Sequence, residues 1–264
     1  MRKSTNTFFT FAFVTLLTFA LTLSSCGGGS ESSKPESIQD NVAARFQEGK
    51  AAYEKGDYQD AIRIFEEIRI QAPTSAVAAE AAYLQGLSRF KMESYSSAAV
   101  DFRNVRRNYT GNALAARAQY MVGESYFEMS PQAELDQTYA LHALNEYQTF
   151  LRDFPKADAS LVDSAQSRIK DIRSKLAHKV LLAAELYVKT EEYKSAVIYF
   201  ERVLDQFYDS EYAPEAQLRL AELAYQRRKT DEAKFQLQKF EEKYLGNAND
   251  AQRQRARSLK ANLS

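Results

Sequence analysis

Residues that could carry out covalent or acid–base chemistry are few in this chain. Its 264 residues include one cysteine, Cys26, and two histidines, His142 and His178. Neither histidine is paired with acidic residues at metal-ligand spacing beyond what chance would give. No glycine-rich phosphate-binding loop follows residue 37. The sequence therefore predicts no enzyme activity, no cofactor and no metal site.

Cys26 lies at the end of an apolar N-terminal run. Arg2 and Lys3 provide a positive start, residues 8–23 form an apolar core interrupted only by threonine, and Ser24-Ser25 precede the cysteine. A charged start, a short apolar core and small residues before a cleavage point are typical of a secretory signal. The small-small-Cys ending is similar to the bacterial lipobox. We therefore predict that residues 1–25 are a cleaved signal peptide and that Cys26 is lipidated, palmitate being one expected acyl group.

Residues 26–37 contain the segment GGGSESSKPES, which is typical of a flexible tether. Each buried acyl methylene contributes roughly 0.8 kcal/mol, so several chains on one cysteine would hold the protein at a membrane. Gly27 occupies the position after the cysteine, where lipoproteins kept in the inner membrane often have aspartate. The predicted location is the outer membrane, with the protein lipid-anchored at the periplasmic face.

Composition predicts an all-α fold and argues against nucleic acid as a partner. After loss of Arg2 and Lys3, the chain has 33 basic and 35 acidic residues, and so no excess positive charge. Alanine, leucine, glutamate and lysine are frequent beyond the tether, and all are good helix formers. No glycine or proline lies between Pro155 and Pro214.

A repeat with a period of 37 residues runs through the chain. Three sets of positions share this spacing: Gly49, Gly86 and Gly123; Phe46, Tyr83 and Tyr120; Tyr53, Phe90 and Phe127. A further set consists of alanines, each followed four residues later by a large side chain: Ala61 and Phe65, Ala98 and Phe102, Ala143 and Tyr147, Ala196 and Phe200, Ala233 and Leu237. Small residues at these positions let two helices approach closely, and the large side chain fills the space one turn further on.

The repeat predicts a right-handed α-solenoid of about five tetratricopeptide-like helix pairs. Extra residues before Ala143 predict a loop around Ser130–Gln132, and extra residues before Ala196 predict one elongated helix near 160–189. We expect repeats 1–3 in residues 38–155 and repeats 4–5 in residues 156–248. A terminal helix is predicted in residues 249–264.

The chain resembles the BamD family of outer membrane lipoproteins. The resemblance is carried by the lipobox, residues 47–50 (QEGK), the Gly56–Tyr58 turn and residues 135–155. It implies a scaffold of the β-barrel assembly machinery, whose N-terminal repeats bind the C-terminal signals of unfolded outer membrane proteins. It also implies that the C-terminal repeats dock on the periplasmic domain of the central β-barrel assembly subunit. Other assembly lipoproteins are further expected partners.

Two candidate binding surfaces follow from the side chains. The predicted groove for a substrate peptide would offer aromatic rings for stacking and cations for its carboxylate; its residues are Phe46, Lys50, Tyr53, Tyr83, Arg89, Phe90, Tyr120 and Phe127. The alternative is that these rings form ordinary core between repeats. The predicted partner-docking surface is basic and consists of Arg227, Arg228, Arg253, Arg255 and Arg257. The alternative there is a solvated helix end and turn.

Two other protein classes use similar helical repeats. A periplasmic tetratricopeptide adaptor of the envelope-constriction or cell-division type would lack a lipobox and usually carries an N-terminal coiled coil. A glycan-binding surface lipoprotein would stack sugars on tryptophan, and this chain has none. The assembly scaffold is the better-supported hypothesis.

Overall fold

The computed structural model describes residues 38–111 and 113–264. Within these ranges it contains eleven α-helices and no strand, which confirms the all-α prediction. The helices are α1 (Ile38–Lys55), α2 (Tyr58–Gln71), α3 (Ala78–Lys91), α4 (Tyr95–Asn108), α5 (Leu114–Glu128), α6 (Thr138–Asp153), α7 (Ala159–Lys189), α8 (Tyr193–Gln206), α9 (Ala213–Gln226), α10 (Thr230–Lys243) and α11 (Asp250–Leu263). The predicted signal, the tether and Cys26 lie outside the described residues.

Each odd-numbered helix from α1 to α9 packs against the helix that follows it, and each pair packs against the next. This arrangement gives five consecutive helix pairs followed by α11, as expected of a tetratricopeptide-like solenoid. Separate apolar clusters succeed one another along the stack, each built largely from one pair and the first helix of the next. The division at residue 155 into two groups of repeats stays a prediction. None of the described helices has the length and apolar character needed to cross a membrane.

The glycines of the first three pairs lie directly against aromatic rings of the second helices. A Cβ atom added to Gly49, Gly86 or Gly123 would lie 2.7, 2.8 or 2.7 Å from the nearest ring carbon. The rings in contact are those of Phe65, Phe102 and Tyr147, and all three are fully buried. The close approach predicted from the 37-residue spacing is therefore confirmed.

The turn between the two helices of a pair uses a left-handed residue in four of the five pairs. Gly56 has φ 86°, and Glu93, Glu191 and Arg228 have φ of 58°, 61° and 58°. Each lies five residues before the alanine of the second helix. Glycine adopts this conformation without strain, whereas residues with a Cβ atom do so at a cost of about 1–2 kcal/mol. The backbone of the turn is thus the same whether or not the sequence supplies glycine.

The third pair has a nine-residue loop instead, between Glu128 and Thr138, where the sequence predicts one. Gln137 organises this loop by donating its side-chain amide to the carbonyls of Gln132 and Leu135 at 2.6 and 3.1 Å. Lys175 and Lys179 on α7 donate to the oxygens of Ser130 and Leu135. The loop is therefore fastened to α7.

Helix α7 is 31 residues long, about 46 Å at 1.5 Å per residue. It begins one residue before the predicted start and ends at the predicted residue, which confirms the elongated helix. Its first half shares a cluster with α6 through Ala165 and Ile172, and its second half shares a cluster with α8 through Leu181 and Ala184. Helix α7 thus joins the third pair to the fourth.

We predict that Gly86→Val destabilises the protein by about 1–3 kcal/mol, because the added carbons overlap the buried Phe102 ring. Urea unfolding followed by circular dichroism at 222 nm would measure the change. Gly246→Val is the matched control, since a Cβ atom there meets nothing within 4 Å. Equal unfolding midpoints for the two variants would contradict this account of the helix approach.

Candidate peptide-binding and docking surfaces

The first ring of each predicted aromatic pair packs inside its own helix pair. Ring centroids are 6.0 Å apart for Phe46 and Phe65, 5.5 Å for Tyr83 and Phe102, and 5.6 Å for Tyr120 and Tyr147. Phe46 is only 3% exposed, whereas Tyr83 and Tyr120 are partly buried. These rings therefore contribute to the core.

The second ring of each pair lies near the turn and is partly exposed. Tyr53 packs against Tyr58 at 5.6 Å, and Phe90 packs against Tyr95 at 5.0 Å. Phe127 instead lies beneath the guanidinium of Arg168, at 4.2 Å from the ring centroid. Tyr53 and Phe90 are therefore the more open members of the predicted groove, while a cation of α7 covers Phe127.

The two cations of the predicted groove differ in how strongly the chain already binds them. Arg89 donates to Asp101 at 2.5 Å, and the Asp101 side chain is only 11% exposed. Burial raises the pKa of Asp101 above its ordinary value, although the neighbouring Arg89 opposes that rise. Lys50 lies 3.7 Å from Glu80 and 5.7 Å from the centroid of the Phe46 ring, and it is more exposed. Lys50 is therefore the cation better placed to accept a ligand carboxylate.

A buried polar network that the sequence did not reveal joins α5, α6 and α7. Glu124 is 8% exposed and accepts hydrogen bonds from the Tyr147 hydroxyl at 2.5 Å and from two nitrogens of Arg168 at 3.0 Å each. Burial, together with the charge of Glu124, raises the pKa of Tyr120 to about 12. The sequence sign of this network is that an acid, Glu124, directly follows the repeat glycine. The two earlier repeats have Lys50 and Leu87 at that position.

The basic residues of the predicted docking surface separate into engaged and open side chains. Arg255 donates to Glu222 at 2.8 and 2.7 Å and to Glu215 at 2.8 and 3.0 Å. Hydrogen bonds to Glu222 chiefly, with those to Glu215, raise the pKa of Arg255 in spite of its burial. Arg253 donates to the carbonyls of Leu245 and Gly246, in the turn after α10, at 3.4 and 3.3 Å, and lies 3.6 Å from Asp250. These two arginines therefore fasten α11 to the rest of the chain.

The other three arginines face solvent. Arg227 lies over the ring of Tyr193 at 5.3 Å from its centroid, and Arg228 occupies the left-handed turn position. Arg257 is exposed and, within the described chain, has no ion-pair partner. Among the described residues, no contact joins Arg227 or Arg228 to Arg257.

The histidines lie in aromatic contacts on different elements. His142 is 5.2 Å from the Tyr126 ring, and His178 stacks on Tyr212 at 4.6 Å with nearly parallel planes. Among the described residues, no group of three or more histidine, cysteine or acidic side chains could hold a metal ion.

A protein-family comparison matches residues 39–240 to a family described as YfiO: Outer membrane lipoprotein. The matched region begins in α1 and ends in α10, so it covers all five helix pairs and leaves α11 outside. A search of curated proteins finds no match.

We predict that Glu124→Gln lowers the free energy of unfolding by about 1–3 kcal/mol, because it removes the charge that Arg168 faces in a largely buried site. The magnitude is below that of a fully buried pair, since the Arg168 side chain is 33% exposed. Glu48→Gln is the control, as the Glu48 side chain is 57% exposed beside Arg45. Chemical denaturation should show little change for the control; a similarly small change for Glu124→Gln would mean that the network contributes no stability.

Proposed function

The chain belongs to the YfiO family of outer membrane lipoproteins, and we propose that it is a non-enzymatic scaffold of the β-barrel assembly machinery. Its N-terminal repeats would bind the C-terminal signals of unfolded outer membrane proteins, and its C-terminal repeats would dock on the central barrel subunit. The observation that carries this proposal is the family match across all five pairs of a tetratricopeptide-like stack. Such stacks work through extended binding surfaces.

Attachment to the periplasmic face of the outer membrane would occur through lipid on Cys26. Twelve residues, 26–37, separate the lipidated position from α1. An extended chain spans at most about 3.3–3.6 Å per residue, so the repeats could work up to about 40 Å from the membrane surface. This reach would let the scaffold contact periplasmic domains while staying anchored.

The proposed substrate surface is formed by the open rings of the first two pairs. Tyr53 and Phe90 are partly exposed near successive turns, and Lys50 lies on the same helix as Tyr53. A strand that ends in an aromatic residue could stack on these rings while its terminal carboxylate meets the lysine. Phe46, by contrast, would act only by supporting the surface from the core.

The proposed docking surface would use outward-facing cations of the C-terminal repeats. Arg227, Arg228 and Arg257 are exposed and could meet acidic groups of a partner domain. Arg253 and Arg255 would contribute indirectly by holding α11 in place. Exposed charges of this kind are expected to act mainly on the rate of association with the partner and on the salt dependence of that rate.

We predict that the mature protein binds a fluorescent peptide taken from the last strand of an outer membrane barrel and ending in phenylalanine. Tyr53→Ala and Phe90→Ala should each weaken binding about 2–10-fold in fluorescence anisotropy, the value of one aromatic contact. Phe235→Ala is the matched control, because Phe235 is an exposed aromatic on α10. Equal binding of a scrambled peptide, or of a peptide with an amidated C-terminus, would argue against recognition of the C-terminal signal.

We also predict that a barrel subunit with periplasmic domains co-purifies with the chain from detergent-solubilised membranes. Arg227→Glu combined with Arg228→Glu should reduce recovery of that subunit several-fold, because two cations of the docking surface become anions. Lys189→Glu combined with Lys194→Glu is a control with the same charge change at exposed positions of α7 and α8. Recovery of an unrelated envelope complex in place of the barrel subunit would refute the docking role.

A further inference from the structure

A cleft between α8 and α10 lies outside the surfaces described so far. It has a volume of about 1000 Å³, and the start of α9 forms its floor. Leu204 and Gln217 lie in it, with Glu201 and Asp205 on the α8 side and Lys239 on the α10 side. Within the described chain, no side-chain hydrogen bond or ion pair joins α8 to α10. The equivalent junction of α4, α5 and α6 provides a comparison.

At the junction of α4, α5 and α6, one arginine of α4 donates a hydrogen bond to a buried glutamine, and a second donates to the residue beside it. Gln119 is fully buried and donates its amide nitrogen to the carbonyl and carboxylate of Glu146 at 2.9 and 2.8 Å. Its oxygen, Oε1, accepts a hydrogen bond from Arg106 at 2.8 Å. Arg103 donates to Glu146 at 2.6 Å and lies over the Tyr126 ring. Each polar atom of the Gln119 amide is thus paired.

Gln217 on α9 repeats half of this arrangement. It is 3% exposed and donates its amide nitrogen to the carbonyl and side-chain oxygen of Gln236 at 3.0 and 2.8 Å. Gln236 lies three residues after the alanine of α10, as Glu146 lies three residues after the alanine of α6. No donor among the described residues reaches Gln217 Oε1. Gln217 lines the cleft, so a ligand bound there can supply the donor that this amide oxygen lacks within the described chain.

The missing donor corresponds to one substituted position of the repeat, and a second substituted position reverses a charge beside it. Counted from the alanine of each second helix, Arg103 and Arg106 lie five and eight residues further along α4. Glu201 and Leu204 occupy the same positions of α8. Both arginines are therefore replaced, one of them by an acid, and the cleft is open where the earlier junction is closed by its own side chains.

The groups around the cleft suit a guanidinium. Glu201 and Asp205 both line it, and neither has an ion-pair partner in the described chain. Tyr208 also lines it and is 66% exposed, so its ring could stack on a guanidinium as Tyr126 does with Arg103. Lys239 and Lys243 on the opposite side could pair with an acidic residue of the same ligand.

We propose that the α8–α10 cleft binds an extended segment of a partner protein through an arginine side chain. The guanidinium donates to Gln217 Oε1 and pairs with Glu201 and Asp205, and an acidic residue of the segment faces Lys239 and Lys243. The site does not involve the rings of the N-terminal groove, so it can exist even if no barrel peptide binds there.

The test uses a displayed library of random octapeptides selected on the immobilised mature protein. Selected peptides are then measured by fluorescence anisotropy on the wild type, on Leu204→Arg and on Glu201→Gln with Asp205→Asn. Leu204→Arg places the chain's own arginine where Arg106 lies at the earlier junction. The acid-neutralised variant tests the same site without altering volume, and Glu54→Gln with Asp163→Asn is its control at exposed, unpaired positions. Circular dichroism verifies that each variant is folded.

We expect selection to enrich peptides that contain arginine together with an acidic residue. Such peptides should bind the acid-neutralised variant and Leu204→Arg at least about 10-fold more weakly than the wild type, and the control variant unchanged. Replacing the peptide arginine by citrulline, its neutral counterpart, should cause a similar loss. Absence of enrichment, enrichment of peptides without arginine, or equal binding to the acid-neutralised variant would overturn the proposal.

Discussion

Close approach of two helices through a residue without a side chain is the constraint on which this stack depends. Gly49, Gly86 and Gly123 admit an aromatic ring of the partner helix to within contact distance of the backbone. The ring then fills the space that the small residue leaves, and the apolar core is divided into clusters that each include one pair and the first helix of the next. Since stability in such stacks is nearly a sum over pairs and their neighbours, each of the first three pairs satisfies this constraint separately.

Spacing in the sequence was enough to predict the backbone. The positions with 37-residue spacing located the first three pairs, and the extra residues before Ala196, free of glycine and proline, located α7 to within one residue. The nine-residue loop before Thr138 followed from the same count. These features were predictable because they rest on chain length and on local steric rules. The left-handed turns of Glu93, Glu191 and Arg228 were less visible, since the repeat imposes them on residues that do not favour that conformation.

Side-chain partners were much harder to predict than helices. Arg255 was expected on a basic surface, yet it lies between two acids of α9; this depends on the rotation of α11 against α9, which no spacing encodes. The burial of Glu124 likewise follows from where α7 crosses α5, so that Arg168 and Tyr147 both reach it. For the same reason, the aromatic positions with 37-residue spacing did not predict which rings are exposed. Their period fixed which face of the helix the rings share, but not whether that face meets another helix or solvent.

Junctions with the same backbone arrangement but different side chains therefore indicate most clearly where a binding site could lie. Gln119 and Gln217 occupy equivalent positions of the repeat, and both donate to the residue three positions after the alanine of the next helix, so their hydrogen bonds can be compared directly. Where α4 supplies Arg103 and Arg106, the polar atoms of Gln119 are all paired. Where α8 supplies Glu201 and Leu204, the amide oxygen of Gln217 and two carboxylates that line the cleft have no hydrogen-bond or ion-pair partner among the described residues. Because the stability of such a stack is approximately a sum over its pairs and their interfaces, the stack can remain folded with unpaired polar groups at one junction. In the proposed scaffold, the α8–α10 cleft is the position where an arginine of another protein would supply the missing donor.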